Sequence, residues 1–355
     1  MKSPRENFLS IAHRTGYDAM PAHFALCPSL REKFEAYTRE HPIDIPTAEG
    51  GVPDLPCDHL APEEFLDRFY KGQTFRPGTT VDAWGVAHEP GSSAAFHMTR
   101  MHNPMGEFDS VEQIIAYPLP RFRPEGLAAQ TARVDELHAQ GLAAVGYMQC
   151  TVWETSWYMR GMENLMCDMV QEDPMATALL DRVTDLAVQR AESYARAGAD
   201  GIFLGDDVGM QHTLLLSETL YDEWLQPRLK RVIDAARAIN PGIVVLYHSC
   251  GYVRELIPHL IAAGIDVLDP VQPECMDFRE LHDRYGDRLS FHGTLGTQTT
   301  MPFGTPDEVR RKVFENLDIA GPQGGLFVCP THLLEPEVPV ENVVAYIEAC
   351  KDYCA

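Results

Sequence analysis

The chain has 355 residues, 45% of them hydrophobic, and a formal net charge of −23 at pH 7. That apolar content fills one large α/β core or two smaller ones. So acidic a balance excludes nucleic acid, heparin-like polymers and anionic membranes as partners unless a local basic patch is hidden in the fold.

Nine cysteines, an odd number scattered along the chain, favour free thiols or metal ligands over a disulfide framework and fit a reducing compartment. The first eight residues carry no basic lead into a long apolar run, and no later stretch approaches the roughly 18 apolar residues of a membrane span. The sequence therefore reads as soluble and cytoplasmic.

In chain order, a helical opening leads to residues 20–27, an apolar segment fenced by Pro21 and expected to be the first strand. A helix follows over 30–41, stopped by Pro42. Residues 43–77 are rich in proline, glycine and acids and read as a loop-rich insert with one short helix at 62–70. Residues 81–86 are a second strand candidate. The next stretch, 91–106, with His97, Met98, Met101 and His102, reads as a long loop over one face.

From residue 125 the pattern becomes regular. A helix at 125–140 leads into a strand at 143–148. Helix 176–197, ended by Gly198, leads into strand 201–207, and helix 218–239 delivers the chain to strand 244–248. Shorter elements follow: helix 253–263, strand 264–268, helix 278–285, strand 289–292, helix 307–319, and a last apolar run after Gly324. Strict alternation predicts a parallel sheet with right-handed crossovers, and a count near eight strands predicts a closed α/β architecture, the TIM (β/α)8 barrel with an N-terminal helical, loop-rich extension. We expect a single barrel domain over 1–355, with 1–80 as the extension and first strand and 81–355 as the main barrel.

Chemistry in such a barrel gathers where strands end. His248 and Cys250, two apart at the end of a strand, leave the same face of an extended backbone and can converge on one ion. Cys329 closes a second apolar run. Three such ligands with an open fourth position make a catalytic metal site, although cysteines are often buried for packing alone and a strand-end histidine can simply satisfy backbone groups. His332 competes with Cys329 on position, and Glu154, Asp206 and Tyr147 are positional candidates for a fourth ligand.

Other strand-end residues extend the list. Asp206 and Asp207 can orient a histidine or act as a general base, or can cap a helix. His292 is a catalytic or supporting candidate, with a satisfied buried histidine as the alternative. Arg160 is placed to grip a carboxylate, and Gln272 and Tyr147 to bind substrate. Trp157 and Tyr158 read as packing.

Taken together, several segments resemble one family. His248-Ser249-Cys250-Gly251, the stretch 265–273 with Asp269-Pro270-Val271-Gln272-Pro273, His292-Gly293-Thr294, residues 304–309, and Gly205-Asp206-Asp207-Val208-Gly209 are similar to the uroporphyrinogen decarboxylase superfamily. So are Pro4-Arg5-Glu6-Asn7-Phe8 and Asp82-Ala83-Trp84-Gly85-Val86. The arginine-rich amino-terminal segment of the decarboxylase proper is not found, and a chain at −23 matches a polyanionic substrate poorly.

The His-x-Cys followed by a distant Cys instead resembles the corrinoid (cobalamin)-dependent methyltransferase branch. That resemblance implies Zn²⁺ held by His248, Cys250 and Cys329, methylcobalamin or another corrinoid carried by a partner protein, and a small thiol or methylated small molecule as co-substrate. A metal-bound thiol is deprotonated and becomes a positioned nucleophile. The expected function is methyl transfer between corrinoid and thiol. Two rivals stand beside it: a decarboxylase-like lyase acting on a small carboxylate held by Arg160, and a non-catalytic ligand-binding subunit of a corrinoid complex.

Overall fold

The computed structural model describes residues 2–92 and 98–353, so His97, part of the loop expected over 91–106, lies outside the described residues. At the centre is an all-parallel, seven-stranded sheet whose strands neighbour one another in chain order. They are β1 (Glu49–Val52), β2 (Ala143–Gln149), β3 (Gly201–Gly205), β4 (Val244–His248), β5 (Val267–Asp269), β6 (Ser290–His292) and β7 (Leu326–Phe327). β3 and β7 are buried at every position, which is why they read as unbroken apolar runs. Parallel neighbours in sequential order, with helices in the connections, make a TIM-barrel-like fold.

Residues 22–27 lie between the two ends of the sheet. The Ala22 N–H donates to the Pro46 carbonyl ahead of β1, and the Leu334 N–H donates to the Ala25 carbonyl beyond β7, each at 2.8 Å. The expected first strand is therefore present as a closing segment that makes only an isolated bridge, Leu26 with Leu334. Its ladder stops because the Tyr346 hydroxyl occupies the backbone at His23, accepting from the N–H at 2.9 Å and donating to the carbonyl at 3.2 Å. A backbone group already bonded to a side chain cannot also extend a sheet.

Two further expectations are corrected. Residues 81–86 do not join the barrel. Thr80–Val81 pairs antiparallel with Ala87–Glu89, which pairs with Arg100–His102 in a separate small sheet. The cause is local: the Asp82 carboxylate accepts the N–H groups of Trp84 and Val86 at 2.9 and 3.0 Å and turns the chain. Conversely, β1 falls inside the stretch read as a loop-rich insert. A Cβ at its Gly50 would come within 2.3 Å of a methyl of Leu137, which would have to shift, and glycine in a strand often marks such an approach. The helix expected over 218–239 is broken into Glu218–Trp224 and Gln226–Ile239 at Pro227, which has no N–H to give.

The amino ends of the strands are closed by helix α1 (Pro4–Ala12), started by a Ser3–Glu6 capping box. Arg5 reaches Asp200, just ahead of β3, through Nε and Nη2 at 2.9 and 2.8 Å. The same carboxylate accepts from the Ala144 N–H at 2.9 Å and pairs with His138 at 2.8 Å. Phe8 packs against Phe327 with the rings tilted and their centroids 5.2 Å apart. No helix among the described residues is long and apolar enough to cross a membrane.

Packing at the outer face of β2 gives a first test. A Cβ on Gly146 would meet the Tyr194 ring at 2.5 Å. Gly146→Ala is expected to lower stability by about 1–3 kcal/mol through overpacking, read as a lower denaturant midpoint with unchanged slope.

Candidate metal centre

Parallel register sets the carboxyl ends of β4, β5 and β6 side by side: Asp269 lies opposite His248, and Leu268 opposite Phe291 places Asp269 beside His292. The three strand-final side chains form a row. Asp269, 4% exposed, has Oδ2 at 2.5 Å from His248 Nδ1 and Oδ1 at 2.5 Å from His292 Nδ1. The row continues at both ends, with His292 Nε2 at 2.9 Å from His23 Nδ1 and His248 Nε2 at 3.4 Å from Cys250 Sγ. Phe203 packs edge-on against both strand-end histidines, with ring centroids 6.5 Å from His248 and 5.8 Å from His292.

Burial opposes the charge on Asp269, but the flanking His292 and His248 outweigh it and hold the carboxyl below its usual range. Burial pushes both the Cys250 and Cys329 thiols up, against the downward pull of the adjacent imidazole in each case. Neutral thiols of this kind ionise when a cation takes them as ligands.

Among the described residues, the His and Cys donor atoms lying within 4.8 Å of one another form two groups of three. One is His248, Cys250 and His332; the other is His23, His292 and Cys329. The structure thus brings His248 and Cys250 together and sets Cys329 in the neighbouring group, its sulfur 3.4 and 3.5 Å from the two ring nitrogens of His292. The reason lies in the backbone. The Cys329 carbonyl accepts from Thr294 and Leu295 at 2.9 and 3.0 Å, which laces this residue to the exit of β6 and to the His292 side of Asp269.

The His248–Cys250 pair fits a tetrahedral cation. Zinc bonds of about 2.0–2.1 Å to nitrogen and about 2.3 Å to sulfur put two such donors about 3.6 Å apart, close to the 3.4 Å between His248 Nε2 and Cys250 Sγ. His248 also commits Nδ1 to Asp269 and presents Nε2. That is the carboxylate–histidine arrangement by which metal sites fix the orientation of a ligand imidazole.

Around this centre the predicted residues divide by what their polar atoms touch. Asp207 accepts the Cys250 N–H at 2.7 Å and lies 3.7 Å from His248 Nε2. Asp206 is buried and caps α2 (Trp153–Arg160), accepting from the N–H groups of Val152 and Glu154 at 3.1 and 2.9 Å. Burial, with the nearby Glu154 charge, raises its pKa. Gln272 accepts the Gly251 N–H at 3.1 Å and pins the turn after Cys250, where Gly251 has φ +84°. Tyr147 points at Phe203, with centroids 5.6 Å apart, and donates its hydroxyl to Glu49 at 2.8 Å.

Arg160, expected to hold a substrate carboxylate, is spent inside the fold. It pairs with Asp168 at 2.8 Å and donates to the carbonyls of Met105 and Phe108 at 2.8 and 2.9 Å, with 7% of its side chain exposed. Arg160→Met should therefore cost about 3–5 kcal/mol by leaving Asp168 charged and unpaired. The cost should appear in thermal denaturation, with KM for any small substrate unchanged.

The profile of the uroporphyrinogen decarboxylase (URO-D) family matches residues 110–353, well over half of the chain. The chain belongs to the uroporphyrinogen decarboxylase family. Among curated relatives, it is 29% identical over 232 residues to a methylated-thiol--coenzyme M methyltransferase of Methanosarcina mazei, covering 62% of this chain and 56% of that protein. It is 28% identical over 177 residues to the methylcobamide:CoM methyltransferase MtaA of Methanosarcina barkeri, covering 50% of this chain and 48% of that one. The chain thus spans about half the length of these curated relatives. A solved structure of a methyltransferase from Methanosarcina mazei superposes over 100% of both chains with a TM-score of 0.64 at 16% identity, a likeness of fold.

The region matched to the uroporphyrinogen decarboxylase family contains β2 to β7 and the whole row from His292 to Cys250, whereas His23 and Glu49 precede it. Sequence reasoning passed over Asp269, His23 and Glu49. Asp269 lay inside a segment quoted for the family resemblance, and its place at the end of β5 was a usable signal. His23 sat in the expected first strand with nothing to show that it pointed inward.

Proposed function

We propose that the chain is a zinc-dependent methyltransferase that moves a methyl group between a methylated corrinoid, carried by a partner protein in the same reducing compartment, and a small thiol. The observation that carries this reading is the His248–Cys250 donor pair, 3.4 Å apart, with His248 held from behind by Asp269. The names of the curated methyltransferase relatives support it.

His248 Nε2 and Cys250 Sγ are the first two ligands, and Cys329 is the third, as the order of the motif implies. Zinc bound there supplies Lewis acidity that favours ionisation of an incoming thiol at neutral pH. Asp269 keeps His248 aimed, Asp207 holds the Cys250 backbone, and Gln272 fixes the turn that follows. In the transfer, the carbon–cobalt bond breaks with its electron pair remaining on cobalt, a carbon–sulfur bond forms, and the thiol proton leaves to solvent. His292 and Asp207, beside the donors, are the polar groups we assign to the reacting region.

A second ligand set, His248, Cys250 and His332, is favoured by their mutual approach within 4.8 Å. Metal analysis separates the two: Cys329→Ala releases the ion in the first arrangement, and His332→Ala does so in the second. The function itself is tested by following the corrinoid absorbance when purified protein, methylcobalamin and small thiols are mixed. No demethylation with any thiol, in protein that holds zinc, would refute the reading.

A further inference from the structure

The connections that leave the carboxyl ends of β2 to β7 are unusual in charge. Residues 150–152, 206–217, 249–253, 270–277, 293–299 and 328–339 contain no lysine or arginine, and neither does the closing segment 22–27. They carry Asp206, Asp207, Glu274, Asp277, Glu335 and Glu337 instead. Of the basic residues that next follow these stretches, Arg160 pairs with Asp168, Arg228 with Asp181, Arg254 with Glu280, Arg310 with Asp352 and Lys351 with Glu348, while Arg279 is exposed in the first turn of the helix Phe278–Tyr285.

The long insert after β1 has basic residues of its own, but they face its own acids. Arg76 and Arg100 each lie 3.9 Å from Glu89, Arg121 and Arg123 lie 3.0 and 3.5 Å from Asp58, and Arg68 lies 3.6 Å from Glu64. Lys71 is exposed in the turn after the helix Pro62–Phe69. The amino end of α2, a place where helices attract anions, is already filled by the Asp206 carboxylate.

Two of these acids lie on the stretches that follow β3 and β5. Asp207 stands 3.7 Å from His248 Nε2 with 41% of its side chain exposed. Glu274 takes the Thr299 hydroxyl on Oε1 at 2.6 Å, and its buried Oε2 has no hydrogen-bond partner. With His248, Cys250 and Cys329 as ligands, the two cysteinates cancel the charge of a divalent ion, which then adds nothing to offset these acids.

We infer that the small-molecule substrate of this site is uncharged or cationic away from its sulfur, and that an anionic tail such as a sulfonate or carboxylate is rejected. The inference rests on the thiol methyltransferase reading and names its substrate class. Two like charges about 8 Å apart at an effective dielectric of about 20 repel enough to change binding more than about tenfold, so the loops discriminate by repulsion without touching every substrate.

The test uses three thiols of similar size, 2-mercaptoethanol, cysteamine and 2-mercaptoethanesulfonate, on the full chain loaded with cobalt(II) in place of zinc. Their dissociation constants are read from the cobalt absorption spectrum, and their kcat/KM values from demethylation of methylcobalamin by the zinc form. Neutral and cationic thiols should bind and react at least about tenfold better than the sulfonate at low salt, and the gap should narrow at high salt and in Glu274→Gln. Tighter binding of the sulfonate, with turnover present, overturns the charge inference and leaves the methyltransferase reading standing. A cobalt spectrum that none of the thiols perturbs sinks both.

Discussion

Cys250→Ala is expected to leave the purified protein folded but stripped of its ion, with metal content falling from about one per chain to near zero. Cys250 is half-buried at the end of β4, and alanine there opens little space, so far-UV circular dichroism and the unfolding transition should change little. Its sulfur is one of the two donors already at bonding separation, and losing an anionic ligand removes both a bond and the charge that balances the cation. Supports behind a ligand are themselves worth about 10–100-fold in affinity or activity. Loss of the ligand should therefore exceed about a hundredfold in thiol-dependent methyl transfer. A Cys250→Ala chain that retains zinc and turns over normally would remove the basis of the proposed function.

The second large effect belongs to Asp269. One buried carboxylate serves two imidazoles, half-buried His248 through Oδ2 and buried His292 through Oδ1. Asp269→Ala leaves both rings without their acceptor, and breaking a buried charged pair by removing one member typically costs about 3–5 kcal/mol. Metal affinity should fall about 10–100-fold as His248 loses its fixed orientation. Asp269→Asn separates the two roles. An amide presents one oxygen and one NH₂, so it can accept from only one imidazole N–H while its donor side requires the other ring to offer a bare nitrogen. The asparagine chain should recover much of the stability and little of the affinity, measured by thermal denaturation and by competition against a chromophoric chelator. Wild-type zinc affinity in Asp269→Ala would mean that His248 needs no such support.

The family, the barrel and most of the strand ends were legible in the sequence for a plain reason. Buried parallel strands are short apolar runs bounded by glycine and proline, and the helices between them carry periodic apolar faces, so β2, β3, β4 and the helix Phe278–Tyr285 emerge nearly residue for residue. His248 and Cys250 were visible as a pair because extended backbone carries alternate residues on one face.

What failed did so where a side chain overrode the backbone pattern. Asp82 turned an apolar stretch out of the barrel, the Tyr346 hydroxyl occupied the His23 backbone, and a Gly-Gly strand passed as loop because its reason for being glycine, Leu137, lies far along the chain. Arg160 looked like a substrate anchor only while Asp168 and the carbonyls that hold it were out of view.

By itself, then, the amino-acid sequence determined which elements form, in what order, and that imidazole and sulfur would stand at their ends, because those properties follow from local spacing. Only the tertiary structure decided that Asp269 lies between two histidines, that Cys329 rests against His292, and that six strand-end stretches without lysine or arginine share one end of the sheet. Those facts depend on which strands pair and on loops far apart in the chain, and the spacing within one strand does not name its neighbour.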